Sequence, residues 1–288
     1  SRAASSGATS AGGSWSVPEL PEAETIARDL APRLAGARIA AVATEHADVL
    51  ASDPATFADQ LVGRVIAGAG RRGKNVVVPM KDGARLVVNL GMTGRLVLSD
   101  APRAGELRHV AVRFELHDGR ALLYDDVRRF GLLELFEPAA WRERDAELGL
   151  EPLGDAFTAA ALHAMTRRTR VPIRNFLLDQ YRVAGVGNIY ALEALFLAGI
   201  RPTRRGRTLT RKDAARLRDS LRDVLRRAIE HRGTTFSDYR DGSGEAGGFE
   251  PLLRVYGREG TPCTACGTSI KRRVLTNRSA FYCPACQR

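Results

Sequence analysis

The stretch 263-CTACGTSIKRRVLTNRSAFYCPAC-286 contains all four cysteines of the 288-residue chain. They form two Cys-x-x-Cys pairs, and sixteen residues lie between the pairs. Each pair can direct two thiolates at one point, so the pattern predicts a tetrahedral zinc site formed by Cys263, Cys266, Cys283 and Cys286. Because no ligand position stays open, the single predicted zinc ion is structural. Two disulfides are the alternative, and they would require an oxidising compartment and a secretion signal.

The residues around the cysteines carry only positive charge. Between Gly260 and Arg288 there are five basic residues and no acidic residue. The whole chain has 44 basic and 33 acidic residues, a formal net charge of +11. Such an excess is typical of nucleic-acid-binding proteins. A membrane-surface protein is the alternative, but no amphipathic helix with a Trp, Phe and Leu face stands out. No apolar run approaches the roughly 18 residues of a transmembrane helix, so we expect a soluble intracellular protein.

The segment at residues 20–36 predicts a capped amphipathic helix. Pro21 suits its first turn, and Glu22 suits the positive end of its dipole. Pro32 is expected to end or kink the helix, and Gly36 suits its C-cap. The apolar stripe of this helix is Ile26, Leu30 and Leu34.

Residues 39–136 have mostly short β-type patterns separated by turns. Two Asp-Gly turns, Asp82-Gly83 and Asp118-Gly119, predict tight hairpins. The strand pairs predicted on either side of these turns are Val76–Met80 with Leu86–Asn89, and Val110–Leu116 with Ala121–Tyr124. Several short strands at this spacing predict a β-sandwich or a barrel.

The second half of the chain has helical patterns. Residues 137–154, which include two prolines, predict an interdomain connector. Thr158 is predicted to cap one helix and Pro172 to open another. Thr210 and Asp213 form a capping-box pattern at the start of a longer amphipathic helix.

A tight glycine turn precedes another predicted helix. Gly185 and Gly187 permit the turn, and Asn188 is predicted to cap the helix Ile189–Leu197. The N–H groups of this turn are expected to point outward as an anion site. Residues 201–232 contain twelve basic and four acidic residues, a bias that suggests proximity to DNA.

Four motifs, in this order, resemble the formamidopyrimidine-DNA glycosylases of the Fpg/Nei family. They are VPELPEAET at 17–25, NLGMTG at 89–94, DVRRFG at 126–131, and DQYRVAGVGNIY at 179–190 followed by AGIRP at 198–202. The resemblance covers Val17–Arg288. It implies an α+β fold, in which an N-terminal β-sandwich domain flanked by helices precedes a C-terminal helix–two-turn–helix domain with a zinc-finger β-hairpin. The implied boundaries are a tail at 1–17, the catalytic sandwich at 18–136, the connector at 137–154, the helical domain at 155–250 and the zinc finger at 251–288.

In this family the amino-terminal proline attacks the sugar C1′ of a damaged nucleotide through its secondary amine. The resemblance assigns the nucleophile to Pro18, the acid/base role to Glu19 and a supporting, DNA-contacting role to Glu22. A free α-amine has a pKa of about 7.7–8.0 in free peptides, so a useful fraction is unprotonated near neutral pH. Lys74 lies just before a predicted strand, and the resemblance implies that its side chain reaches a DNA phosphate and the active site. Without the resemblance, a solvated lysine is an equal alternative.

The resemblance also implies how the duplex is held open. A flipped nucleotide leaves a hole, because its stacking and pairing are lost. Met92 and Phe130 would fill this hole as an apolar wedge, and Arg128 would bond the orphaned partner base, often cytosine. Burial of Met92 and Phe130 in the core is the alternative. Asn188 and Arg278 would hold a phosphate beside the lesion, and Arg278 is predicted to lie at the tip of the hairpin. The resemblance also assigns Arg278 a catalytic role.

The implied activity is that of a bifunctional DNA glycosylase and AP lyase of base-excision repair. It would excise 8-oxoguanine and formamidopyrimidines from double-stranded DNA, and also act at abasic sites, through a Schiff base and β,δ-elimination. The polar, Gly-rich segment 237–249 favours this purine branch, since a loop here closes over the flipped base in that branch. No cofactor beyond zinc is implied. We expect a monomeric, cytoplasmic, nucleoid-associated enzyme that binds no membrane.

The residues before Pro18 depart from the family pattern. Ser1–Ser16 are small, polar and Gly/Ser-rich, and they predict a disordered tail, an expression remnant or translated upstream sequence. As printed, the Pro18 nitrogen is a tertiary amide without an available lone pair. Valine is encoded by GUG, which also initiates translation, so the hypothesis is that Val17 marks the true start. The alternatives are a non-catalytic lesion-binding protein, a related glycosylase for oxidised pyrimidines or bulky adducts, and Lys74 as a substitute nucleophile.

Overall fold

The computed structural model describes residues 18–99, 107–235 and 246–288. Its first helix, α1 (Leu20–Leu34), begins with a capping box. The side chain of Glu19 accepts from the backbone N–H of Glu22, and the side chain of Glu22 accepts from the backbone N–H of Glu19. Pro32 lies inside the last turn, and the helix continues for two residues beyond it. Of the two expectations for Pro32, an end or a kink, the first is wrong, because the helix ends two residues later at Leu34; a proline this close to the helix end removes only one hydrogen bond.

Two four-stranded antiparallel sheets form the first domain. One has the order β1-β6-β7-β5 and the other β2-β3-β4-β8, so the structure is a sandwich and not a closed barrel. The strands are β1 (Ile39–Thr44), β2 (Gly70–Arg72), β3 (Asn75–Pro79), β4 (Arg85–Asn89), β5 (Gly94–Ser99), β6 (Val110–Leu116), β7 (Ala121–Asp126) and β8 (Leu132–Phe136), and a short helix, α2 (Pro54–Leu61), follows β1. Both hairpins predicted from the Asp-Gly turns are confirmed by the pairing of β3 with β4 and of β6 with β7.

Helices dominate the second half. They are α3 (Pro138–Glu147), α4 (Ala159–Arg167), α5 (Ile173–Leu178), α6 (Asn188–Leu197) and α7 (Arg211–Glu230). The Thr158 cap of α4 and the Thr210–Asp213 capping box of α7 are confirmed. The predicted connector contains α3, and the domain boundaries within it stay predictions. Leu20, from the start of α1, is buried in the core of these helices, so the two halves share packing close to Pro18.

The cysteine-rich end folds as a hairpin of β9 (Lys271–Leu275) and β10 (Arg278–Tyr282). Thr276 and Asn277 form its tip, both with positive φ. The hairpin is attached to the helical domain, because the side chain of Gln287 accepts from Cys283 N and donates to Ile200 O. Across the described ranges, every helix is too short or too polar to cross a membrane. Most of the segment 237–249 lies outside the described residues.

Candidate active site

Glu19 joins the two domains by capping a helix of the other one. Its carboxylate accepts N–H groups from Gly187 at 2.9 Å and from Ile189 at 3.1 Å, at the start of α6. The prediction that Asn188 caps this helix is therefore wrong, because the N-cap residue is Gly187 and the capping oxygens belong to Glu19. The expected outward anion site is also wrong, since a protein carboxylate occupies it. A Cβ at position 187 would overlap this carboxyl group, which explains the glycine.

Glu22 lies beside Glu19 in the same buried pocket. Its carboxylate accepts from the N–H of Glu19 and from the N–H of Thr234, both at 2.8 Å. The hydroxyl of Tyr190 donates to the same carboxylate and is itself 2.9 Å from Thr234 Oγ1. Burial raises the pKa of Glu22. Glu22 thus connects the start of α1 to α6 and to the segment that follows α7.

The electrostatics at this junction suit proton transfer. Burial raises the pKa of Glu19 to about 7, although the positive charge of Lys74 acts in the opposite direction. Burial lowers the pKa of Lys74, and Arg278 lowers it further. Pro18 is buried next to these groups at the head of α1. A carboxyl group with a pKa close to physiological pH, beside an amine whose pKa is lowered by burial, is typical of general acid–base chemistry.

The loop that carries Lys74 is fixed by the connector. Glu151 accepts from Gly73 N at 2.7 Å and from Arg71 at 2.7 Å, and Arg72 forms a further ion pair with it at 3.1 Å. Gly73 also packs against Gly185 of the glycine turn. The solvated alternative for Lys74 is wrong, because the lysine is only partly exposed and its charge interacts with Glu19 and Glu22.

A buried arginine, Arg174, links Asn188 to the hairpin. Arg174, 1% exposed, donates twice to Asn188 Oδ1, at 3.0 and 2.8 Å, and once to Leu275 O at 3.1 Å. The Nδ2 group of Asn188 donates to Ser279 O at 2.9 Å. Burial lowers the pKa of Arg174 to about 10, and the charge of Arg278 acts in the same direction. Two guanidinium groups therefore lie close together where α5, α6 and the hairpin meet.

The two loops at the edge of the sandwich form a separate cluster. Phe130 is 61% exposed, and the guanidinium of Arg128 lies 4.7 Å from the centre of its ring. Met92 is half-buried. Neither Met92 nor Phe130 belongs to the hydrophobic core, so the core alternative for these two residues is wrong.

The four cysteines converge at the base of the hairpin. Their sulfur atoms all lie within 4.8 Å of one another, with 3.9 Å between Cys263 and Cys286 and 3.5 Å between Cys266 and Cys283. All four are free, so the disulfide alternative is wrong. Four thiolates about 2.3 Å from a tetrahedral zinc ion lie about 3.8 Å apart, which fits these distances. The cluster can hold a metal ion.

The structure brings Pro18, Glu19, Glu22 and Lys74 together and sets Asn188 and Arg278 beside them, whereas the wedge residues lie on the sandwich edge. Sequence reasoning missed the residues that hold these groups in place, chiefly Glu151, Arg174 and Tyr190. Arg174 carried a signal, as an arginine within the apolar helix IRNFLL. Glu151 carried none, because its partners are 78 to 80 residues away along the chain.

A sandwich and a helical domain that meet at a buried acid–lysine junction, together with a four-cysteine hairpin, define the class of helix–two-turn–helix DNA glycosylases. Two family models match: "Formamidopyrimidine-DNA glycosylase N-terminal domain" at residues 17–133 and "Formamidopyrimidine-DNA glycosylase H2TH domain" at residues 148–240. The chain belongs to the formamidopyrimidine-DNA glycosylase family, and it is a DNA glycosylase of base-excision repair.

Individual relatives are similar over nearly their whole length. The formamidopyrimidine-DNA glycosylase of Thermomicrobium roseum is 45% identical over 286 residues, covering 94% of this chain and 99% of the relative. The crystal structure of MutM (Fpg) from Thermus thermophilus matches at 40% identity with a TM-score of 0.82, covering 94% of this chain and 98% of that chain. A Lactococcus lactis Fpg mutant in complex with Fapy-dG-containing DNA matches at 32% identity with a TM-score of 0.87, covering 94% and 100%.

Proposed function

We propose that this protein is a bifunctional DNA glycosylase and AP lyase that removes oxidised purines, with the amine of Pro18 as its nucleophile. The observation that carries the proposal is the junction at the head of α1. There Pro18 lies beside a carboxyl group whose pKa is about 7 and a lysine whose pKa burial lowers. Solved relatives contain DNA with Fapy-dG and DNA with an abasic site, which agrees with both activities.

The reaction follows from these groups. The unprotonated Pro18 nitrogen attacks C1′ and displaces the base, and the departing base takes up the proton that the nitrogen loses, so that the nitrogen bonded to C1′ is again a neutral amine with a lone pair. The C1′–O4′ bond then opens with a proton from Glu19, which leaves an iminium ion between Pro18 and C1′. The ionised Glu19 next accepts a proton from C2′, and the electron pair expels the 3′ phosphate. One residue can serve as acid and then base, because its pKa lies near the operating pH.

This chemistry requires a free amine at position 18. We propose that Pro18 is the amino terminus of the active form, so that the peptide bond to Val17 is absent from it. The match of the N-terminal family model begins at residue 17, which supports this proposal. In the printed chain the nitrogen is a tertiary amide, and this observation favours a second candidate function, a protein that binds lesions without cleaving them.

DNA would be held by two sets of groups. Asn188, Arg278 and Lys74 would contact phosphates beside the lesion, and the buried charge of Arg174 would add to the positive potential there. Met92, Phe130 and Arg128 would fill the gap left by the flipped nucleotide. Zinc is the metal that a four-thiolate site favours, and we assign one structural zinc ion to Cys263, Cys266, Cys283 and Cys286. The thiolate cage supplies no chemistry to the reaction; it orients the hairpin that carries Arg278.

Borohydride trapping on duplex DNA containing 8-oxoguanine opposite cytosine tests the proposal. Protein that begins at Pro18 is compared with the printed chain, and Glu19→Gln is made in both. We expect a covalent adduct only from the form with Pro18 at its terminus, and little adduct with Glu19→Gln. Adducts from both forms would move the nucleophile elsewhere, and Lys74→Met would be tested first. If neither form is trapped while both bind the lesion, the non-catalytic candidate is correct. Competition with DNA containing oxidised pyrimidines then ranks the substrates.

A further inference from the structure

The two exposed loops at the sandwich edge share one buried polar centre. The wedge loop (residues 90–93) carries Met92, and the fork loop (residues 127–131) carries Arg128 and Phe130. Asp126, 1% exposed at the end of β7, lies between them. Its Oδ1 accepts from the hydroxyl of Thr93 in the wedge loop and from Arg128 N at 3.2 Å in the fork loop.

The other carboxylate oxygen closes the fork loop from its far end. Oδ2 of Asp126 accepts from Gly131 N at 3.0 Å and from the Tyr124 hydroxyl at 3.0 Å. Burial, and then the charge of Asp126, raise the pKa of Tyr124, so that its hydroxyl stays protonated and donates. Thr93 Oγ1 also accepts from Arg128 N at 3.1 Å, which makes Thr93 a direct bridge between the loops.

The backbones of the two loops touch at this centre. A Cβ added to Gly91 would lie 2.6 Å from Gly131 N and 2.6 Å from the carbonyl carbon of Phe130. A Cβ on Gly131 would overlap the Tyr124 hydroxyl, and so would one on Gly94. Side chains at these three positions would separate the loops, and their absence lets the loops pack backbone to backbone.

We propose that Asp126, with Thr93 and Tyr124, is a positioning group that fixes the wedge and fork loops to each other, so that Met92, Arg128 and Phe130 enter the duplex as one rigid unit. This inference rests on the proposed function, since it assigns a role within base extrusion. An insertion that replaces lost stacking must be in place when the base leaves, and a flexible wedge would lose conformational entropy on entering. The carboxylate removes that loss by ordering both loops before DNA binds.

Thr93→Val, Thr93→Ser and Asp126→Asn test this role, and Asp125→Asn is the matched control. Valine keeps the shape of Thr93 but has no hydroxyl, whereas serine retains it. Asparagine at 126 presents an NH₂ group to donors that need an acceptor. Asp125 is a buried neighbour on the same strand, and its carboxylate accepts from His109 N at 2.8 Å instead of from a group of either loop. Thermal unfolding of each variant is recorded first, and if Asp126→Asn does not fold, the two Thr93 variants decide the question.

Two readouts separate positioning from general stability. On duplex DNA with 8-oxoguanine, we expect single-turnover base excision to fall about tenfold or more in Thr93→Val and Asp126→Asn, with recovery in Thr93→Ser. On single-stranded DNA with an abasic site, which has no base to extrude and no partner base, we expect strand cleavage at the rate of the unsubstituted protein. Equal losses on both substrates, or no loss on the duplex, would overturn the inference.

A binding measurement keeps this result independent of the nucleophile. The printed chain, whose Pro18 nitrogen is an amide, is bound to lesion duplex that has 2-aminopurine beside the lesion, and unstacking is followed by fluorescence. We expect the increase to be several times slower in Thr93→Val and Asp126→Asn than in Asp125→Asn. If borohydride trapping fails in every form but this difference appears, the catalytic proposal is wrong and the positioning role stands. If trapping succeeds and the fluorescence rates are equal, the positioning role is wrong.

Discussion

At the scale of single residues, Glu19 would determine most of the proposed chemistry. It is attached to the proposed nucleophile by one peptide bond, yet its carboxylate is held by the start of a helix in the other domain. Two N–H bonds and a helix dipole favour the ionised form, whereas burial favours the neutral form. Burial is the larger effect, and the pKa of Glu19 is raised to about 7. The residue therefore changes its charge within the range in which a repair enzyme operates.

This shift predicts how stability depends on pH. The pKa of Glu19 is raised from 4.5 to about 7, so between these values the folded chain holds a proton that the unfolded chain has released. Stability then falls as the pH rises through this window and levels off above it. Relative to Glu19→Gln, we expect the printed chain to lose on the order of 3 kcal/mol of unfolding free energy between pH 4.5 and 7.

Urea unfolding at several pH values measures this difference, and Glu134→Gln, on the sandwich, serves as the control. Glu22 contributes in the same direction, because its own pKa is raised by burial. A difference that stays constant from acid to neutral pH would contradict the assigned pKa of Glu19.

At the scale of elements, the sequence predicted what local signals specify. Asp-Gly turns placed two hairpins, and Thr158 and Thr210 placed two helix starts, because turn and cap chemistry acts over a few residues. The start of α6 was predicted with the wrong cap. Its capping carboxylate is 170 residues away from Ile189, and no local pattern contains that contact. The exposure of Met92 and Phe130 likewise depends on how the two sheets pack against each other, and no local sequence pattern contains that information.

The contacts of Arg174 predict that the positions of α6 and of the hairpin depend on this one side chain of α5. It makes four hydrogen bonds, all to neutral oxygen atoms. Arg174→Met would leave Asn188 Oδ1 and Leu275 O without their donor and would remove a buried positive charge. Hydrogen bonds from charged donors are worth about 1.5–3 kcal/mol, so we expect lesion-DNA affinity to fall about 10- to 100-fold. Arg174→Lys keeps the charge and should lose less.

The control for Arg174 is Arg222→Met on α7. Arg222 also donates to main-chain oxygens, at Pro152 and Gly154, but on the connector side of the helical domain. Fluorescence anisotropy with an abasic-site duplex compares the variants at constant salt. Equal losses of affinity in Arg174→Met and Arg222→Met would mean that general destabilisation, and not the link to Asn188, explains the result.

Metal removal should act on the hairpin and on the helical core that it packs against, and not on the sandwich. Cys266→Ser takes away one of four ligands, so we expect loss of bound zinc and at least about a tenfold loss of DNA affinity, because Arg278 is then no longer held. The sandwich core contains no hairpin residue and should unfold as before. Cys266→His offers a ligand that zinc accepts in Cys₃His sites, and it should retain the metal and most of the affinity. Zinc analysis measures the bound metal, and fluorescence anisotropy measures the DNA affinity. Unchanged affinity without metal would contradict the proposal that the hairpin holds Arg278 against DNA.

At the scale of the whole molecule, some basic residues are paired with carboxylates of the protein, and others are available to bind phosphates. The twelve basic residues between 201 and 232 suggested a DNA-binding face. In the structure, many of them have protein partners. The ion pairs of this region join Arg204 and Arg216 to Asp213, Arg218 to Asp219, Arg227 to Asp223, and Arg232 to Asp29. Five of the twelve basic residues therefore have a carboxylate partner within the protein, and a count of basic residues overstates the charge that is available to phosphates.

The salt dependence of binding distinguishes net charge from placement. Each phosphate contact contributes about −0.9 to the slope of log K against log salt, so Arg278→Met should reduce the magnitude of the slope by about one. Arg226→Met makes the same change in net charge at an exposed position on α7, between residues that pack into the helical core. We expect its slope to equal that of the unsubstituted chain. If both variants reduced the slope equally, the protein would bind DNA through its overall field. A reduction in Arg278→Met alone would locate the phosphate contact at the hairpin tip, where the cysteine cluster sets the position of β10.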